Sequence, residues 1–442
     1  MEADPQLLDF LAALWRMPPP GPDNLLTAPA FVALSELLDQ RYGGGKATFA
    51  LSNALRSLGL PCGLPPNQSA LALDLSTVAT SLAKAYSRRM TVCRYICPLD
   101  LADELPTMAF GNARVAQFTT EELEQLFDAP RLRRNFPTLP FESERLAQFH
   151  WLVVEEERAI DPRPEARAVP ALFAGMRRDF GEIEPYLGRF PAAVEGALFF
   201  LLLAQWEDWS TMPDVDWRGF RIPWIYTLDE DLCVRPARPP SPDSLSLEPW
   251  FVHDDWGEEI ELERPTYLPL DECAKKELPR LTESAWAELQ AALATPLFET
   301  PVVHFLVRAF LADGIDEVIA HMTAIEASLG LESDHKRKLR PKPDPQSGLS
   351  ATNRVAARLG AALADAQAVQ DYEDLFELRS AFIHGRAGLQ KISTPQVVLA
   401  RGLARRAARA LVSLATAHPS TSREDILAHL LGRGVTYRRR DP

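Results

Sequence analysis

Apolar residues recur every three or four positions at both ends of this chain and every second position through much of its middle. Near the start, PQLLDFLAALWRM and APAFVALSELLDQRY carry the spacing of amphipathic helices. From Met90 the period changes. MTVCRYICPL alternates as a strand does, and MAFGNARVAQF reads as a second strand with a Gly-Asn turn near its start. TTEELEQLFDA then opens a helix, with Thr119 and Glu122 at capping-box spacing. FHWLVVEEERAI, WRGFRIPWIYTLD and EEIELERPTYLPL have strand character. RPARPPSPDSLSLEPW, between the last two, reads as a surface loop. The longest apolar run, AAVEGALFFLLLAQW, predicts a buried core element and is too short to cross a bilayer as a helix.

From about Thr282 the helical period takes over almost to the end. ESAWAELQAALAT comes first. PVVHFLVRAFLADGIDEVIAHMTAIEASLG is long enough for one broken helix or two consecutive ones. HKRKLRPKPDPQSG is a basic loop. ATNRVAARLGAALADA, DYEDLFELRSAFIHG and TPQVVLARGLARRAARALVSLATA are three further helices, the last with Pro395 at its start, where a missing amide does no harm. SREDILAHLL predicts a short final helix before a basic tail. The expected fold class is therefore α+β. It comprises a helical segment over residues 1–90, a mixed α+β region over 91–290 and a helical bundle over 291–442.

A chain of 442 residues with 46% hydrophobic content can support two or three cores. The acidic start MEADPQLLDF lacks the basic-then-apolar pattern of a signal peptide, so a cytoplasmic protein without membrane contact is expected. Five scattered cysteines argue against a disulfide framework. Cys93 and Cys97 would share one face of a strand, and a zinc site there would need two more ligands. His304, His321 and His335 have no helical ligand spacing, so neither a metal nor another cofactor is expected. Gly43-Gly44-Gly45-Lys46 lacks phosphate-loop spacing and reads as a turn. Six of the nine tryptophans lie between Trp206 and Trp256, where they would fill a β-rich core or form a binding surface. Charge is uneven. Residues 301–442 hold 20 Lys+Arg and 15 Asp+Glu, and the remainder holds 27 and 46, so a net of +5 stands against −19. Such asymmetry hints at nucleic-acid contact by the basic part.

The candidate chemistry lies in LRSAFIHG. Arg379 is followed by Ser380, and five residues on His384 is followed by Gly385. Upstream, AIEASLG places Glu326 among apolar neighbours. Plainer roles fit the same residues: Arg379 in a surface ion pair with Glu373 or Asp374, and His384 at a helix end favoured by the carbonyl dipole. Lys336, Arg337, Lys338 and the four-spaced Arg401, Arg405 and Arg409 could grip RNA phosphates or form a solvated face.

Over roughly residues 300–418 this pattern resembles the HEPN domain, in particular its Apea-like branch, with a signature like L-R-S-x-x-x-H-G after an upstream LE-x-L helix. A fainter likeness to abortive-infection proteins of that branch covers the strand–strand–TTEE layout from Met90 to Phe127. The resemblance implies a metal-independent endoribonuclease acting on cellular RNA, tRNA included, in antiphage abortive infection. It implies His384 as general acid or base, Arg379 as phosphate stabiliser, Ser380 positioning the RNA or the arginine, and Glu326 orienting Arg379. Five helical residues turn a side chain by about 140°, so Arg379 and His384 do not share a face of an ideal helix. Either the helix distorts or ends before His384, or two motifs meet across a homodimer of the C-terminal helices, as HEPN domains commonly arrange. A phage-derived activator of the acidic N-terminal region is the further partner implied. A non-catalytic HEPN module that binds RNA or protein, and a scaffold whose tryptophan-rich middle binds a phage protein, are the rival expectations.

Overall fold

Met90–Leu99 is a strand, and its alternation places Cys93, Tyr95 and Cys97 in the interior. In the computed structural model, which describes residues 5–18, 25–43, 48–168, 190–206, 218–253, 256–270, 272–385 and 391–438, this strand lies between His150–Ala159 and Tyr226–Asp229. Both pairings are antiparallel, with Tyr95 opposite Val154 on one side and Thr227 on the other. Ala113–Gln117 lies on the far side of His150–Ala159. The protein is α+β, and among the described residues no helix is long and apolar enough to cross a membrane.

The chain divides into two units, each assembled from separate stretches. The first comprises residues 1–100, 114–182 and 222–266, and the second 101–113, 183–221 and 267–442. The expected boundaries at 90 and 290 are thus replaced by an interleaved division. In the first unit the helices Pro5–Trp15, Pro29–Tyr42, Thr48–Ser57 and Leu75–Ser87 share a core that includes Leu11, Phe31, Leu51 and Leu82. One face of the sheet, with Ile96, Trp151, Val153 and Tyr226, packs on the capping-box helix Thr120–Leu126 and its successor through Leu123, Phe127 and Leu132. Arg131 explains why residue 90 is no boundary. It is 2% exposed and donates to Ser57 Oγ among the helices, and to the carbonyls of Asp229 (2.6 Å), Asp231 (2.8 Å) and Val234 (2.6 Å) past the sheet.

Part of the expected surface loop is a strand. Leu247–His253 pairs with Glu259–Pro265 in a separate two-stranded ribbon. The register places Trp250 opposite Leu262 and Val252 opposite Ile260. Trp250, Leu262 and Ile260 are exposed, as is Trp256. The tryptophan cluster therefore does not fill one core: Trp206 is buried, Trp224 half-buried and the ribbon pair open, while Trp209 and Trp217 lie outside the described residues, as do Gly44 to Lys46.

The second unit is the helical one. PVVHF…ASLG makes two helices, Val302–Leu311 and Gly314–Leu329. Ala351–Leu363, capped by Ser350, precedes the motif helix Gln367–Ile383, the long helix Thr394–Ala417 and a final helix Arg423–Arg438. That last helix is longer than predicted. It passes through Gly434, where a Cβ would collide with the Ala357 carbonyl, so the glycine allows two helices to approach closely. Gly111, in the turn between Met108–Phe110 and Ala113–Gln117, plays a similar part against the Trp286 indole, and its amide donates to Glu283 at 2.6 Å.

Buried ion pairs cross this unit. Arg401 donates to both oxygens of Glu317, and His321 stands 3.5 Å from the same carboxylate. Burial pushes the Glu317 carboxyl up, but the hydrogen bonds from His321 and Arg401 outweigh it and hold the group at about 2. A depressed carboxylate adds stability above its unfolded value of 4.5 and loses it as pH falls towards about 2. Glu317→Gln leaves the Arg401 guanidinium buried and uncompensated, so it should lower stability in urea at pH 7 by about 3 kcal/mol. The gap from wild type should close between about pH 4.5 and pH 2, and a gap independent of pH would refute the pairing.

Candidate functional site

The motif helix presents Tyr372, Phe376 and Arg379 along one side, at spacings of four and three. Tyr372 is fully buried, and its ring lies 6.3 Å from that of Phe376. The Arg379 guanidinium stands 5.6 Å from the Phe376 ring centre. Arg379 Nη1 donates to Glu326 Oε1 at 3.1 Å, across from Gly314–Leu329. The carboxylate expected to orient Arg379 thus meets it, and the surface pair with Glu373 or Asp374 does not form. Glu373 accepts instead from Arg438 at 2.9 Å. Arg379 Nε is buried without a hydrogen-bond partner among the described residues, which leaves a donor in reserve.

Burial raises the Glu326 carboxyl above its ordinary value, against the opposing charges of Arg379 and His335. Burial also raises the Tyr372 phenol, and Glu326 adds to that. Tyr372 and His335 therefore join the electrostatic surroundings of Glu326. Sequence reading missed both, although Tyr372 stands two helical turns before Arg379 and could have been found by spacing.

His384 is placed differently. The helix ends at Ile383, His384 caps it with φ −92° and ψ 4°, and Gly385 follows at φ +57° in the left-handed region. The amide of His384 still donates to the Ser380 carbonyl at 3.0 Å, so the turn is nearly helical up to the histidine. His384 is exposed, whereas Arg379 and Ser380 are half-buried. The chain therefore brings Glu326 and Arg379 together, and the helix ends just before His384, which is exposed.

The basic groups separate into two sets. Lys336, Arg337 and Lys338 are exposed, with Lys336 paired to Glu332. Arg401 and Arg405 are not a phosphate-gripping stripe. They are 4% and 8% exposed, the first on Glu317 and the second donating to the Leu202 carbonyl at 3.0 Å. Arg409 is the half-exposed member and pairs with Glu277 at 3.0 Å. The physical reason is that the arginines share a buried face with Ala400, Ala404, Ala407 and Ala408, whose small side chains leave room for the arginine stems among neighbouring elements. Cys93 and Cys97 are buried, unpaired thiols that burial pushes up. Among the described residues, no group of three or more His, Cys, Asp or Glu is placed to hold a metal ion.

No protein-family model, curated protein or solved structure matches this chain.

A double-mutant cycle with Arg379→Ala and Glu326→Ala should give a coupling of about 1 kcal/mol, modest because both side chains keep contact with water. Additive effects within about 0.3 kcal/mol would show that the pair contributes nothing in solution.

Proposed function

We propose that the helical unit is a metal-independent endoribonuclease of the HEPN type, acting on cellular RNA such as tRNA in antiphage abortive infection. The Arg379–Glu326 pair carries this reading: an arginine held at 3.1 Å by a half-buried carboxylate, with Nε uncommitted. RNA supplies its own nucleophile. A base removes the 2′-OH proton, the 2′ oxygen attacks phosphorus, and the 5′ oxygen leaves with a proton, giving a cyclic phosphate and a 5′-hydroxyl end. His384 is the acid or base, since imidazole exchanges protons near neutral pH. Arg379 meets the charge that builds on the phosphate oxygens, and Glu326 presents it. Ser380, one residue on, positions the RNA or the arginine.

The separation of Arg379 from His384 is met by a homodimer, in which one chain's arginine faces the other's histidine. Ile383, half exposed at the same helix end, supports a partner there. Lys336, Arg337 and Lys338 contact flanking phosphates. Cells expressing wild type under phage challenge should show discrete new 5′-hydroxyl RNA ends. Arg379→Ala and His384→Ala should each abolish them while staying folded, His384→Ala unfolding like wild type and Arg379→Ala losing only about 1 kcal/mol. The same ends at wild-type yield in both variants would overturn the reading.

The exposed ribbon favours a second reading, in which the protein acts by capturing a phage protein. An open apolar face of Trp250, Ile260 and Leu262 is what a protein interface uses. Under this reading Trp250→Ala/Leu262→Ala abolishes phage restriction and Arg379→Ala/His384→Ala leaves it intact. The opposite outcome returns the function to the ribonuclease.

A further inference from the structure

Away from Arg379, the helical unit contains a groove of 610 Å³ bounded by Ala192–Leu202, Val302–Leu311 and Gly314–Leu329. That volume lies within the range of small-molecule sites, roughly 300–1,000 Å³. Its chemistry is concentrated on two turns of one helix. His304 and Arg308 are four residues apart, so they stand one above the other on the same face. Both line the groove.

His304 is oriented from behind. Its Nδ1 lies 3.3 Å from Glu195 Oε1, and both side chains are largely buried, at 14% and 12% exposure. Glu195 beside Nδ1 fixes the ring's orientation and leaves Nε2 as the ring nitrogen available to a ligand. Arg308 is exposed and has no ion-pair partner among the described residues. The nearby carboxylate of Asp313 is already taken, by Arg218. The groove thus offers one uncommitted guanidinium next to an imidazole oriented by Glu195, a combination suited to a phosphate.

The rest of the lining narrows the ligand further. Phe305, on the same helix as His304, and Ile319, on Gly314–Leu329, supply an apolar surface, and Asp316 and Thr323 supply oxygens that accept hydrogen bonds. Asp316 would repel a bare phosphate but would accept from sugar hydroxyls or an exocyclic amine. We propose that this groove binds a nucleoside phosphate, with the phosphate on Arg308 and His304, the base along Phe305 and Ile319, and the sugar or base donors on Asp316. The ligand is either a free mononucleotide or the phosphorylated end of an RNA strand, since both carry the same groups. The site goes beyond the ribonuclease reading and does not depend on it.

Isothermal titration of the full-length protein with AMP, with inorganic phosphate and with a 5′-phosphorylated tetraribonucleotide tests this. Wild type should bind AMP with a dissociation constant below 1 mM and at least tenfold more tightly than phosphate. Arg308→Ala should weaken AMP binding about tenfold or more, as expected for loss of a charge-assisted phosphate contact. His304→Gln should weaken it severalfold. Arg379→Ala/His384→Ala should bind AMP as wild type does. Arg308 is exposed, so its replacement should leave thermal unfolding unchanged and confines the result to binding. Tighter binding of AMP than of the tetraribonucleotide identifies a free nucleotide, and the reverse identifies an RNA end. Absence of AMP and oligonucleotide binding, or equal affinities in wild type and Arg308→Ala, overturns the proposal.

Discussion

The C-terminal end of Gly314–Leu329 is the point on which the helical unit depends. The last carbonyls of any helix lack partners within it. Here two buried arginines supply them. Arg423 donates to the carbonyls of Ala327, Ser328 and Gly330 as well as Leu297, and Arg358 donates to Leu329 at 2.9 Å, to Leu427 at 3.1 Å and to the carboxylate of Asp334. Burial beside Arg358 lowers the Arg423 guanidinium to about 10 and leaves it charged. One helix end is thereby tied to the loop after it, to Ala351–Leu363 and to the final helix. Glu326 sits one residue before the first capped carbonyl, so its place opposite Arg379 follows from this cap.

How much of this was legible in the sequence depends on whether the signal was local. Period-2 alternation in MTVCRYICPL and the Thr119–Glu122 capping box are local, and each produced the element it predicted; the helical run from Pro301 to Gly330, read as one broken helix or two, is two. The first strand of the ribbon was hidden because Pro249 interrupts it, and a strand with a single neighbour tolerates the proline. The final helix was cut short because Gly432 and Gly434 look like a stop, whereas Gly434 serves a close helix crossing. The unit boundaries were illegible for a different reason. They depend on contacts such as Arg131 to Ser57 and Asp229, which join residues about 70 and 100 positions apart and leave no periodic trace.

Arginine was the residue most easily misread. Its spacing on Thr394–Ala417 describes a stripe equally well in water or in a core. What decided between them was a partner on another element: Glu317 for Arg401 and a carbonyl for Arg405. The candidate site had the opposite character. Arg379 and Glu326 were visible from their setting, and they meet. Tyr372 was passed over because an isolated tyrosine in a helix reads as core, which it also is.

Glu317 and Glu326 lie on the same helix nine residues apart, which turns them to opposite sides of it, about 180°. Burial acts on both, yet the outcomes diverge. Arg401 and His321 both hydrogen-bond Glu317, and its carboxyl is lowered. Glu326 has one hydrogen bond, from Arg379, and burial prevails, so its carboxyl is raised. The first carboxylate is therefore fixed as structure. The second has the weaker hold, a single hydrogen bond from Arg379. In the ribonuclease we propose, Arg379 turns from this carboxylate to a phosphate oxygen, and the weaker hold serves that turn. The same helix thus carries a fully buried carboxylate bonded by two side chains on one side and a half-buried one bonded by a single arginine on the other, and the added hydrogen bonds to Glu317 decide the direction in which each carboxyl shifts.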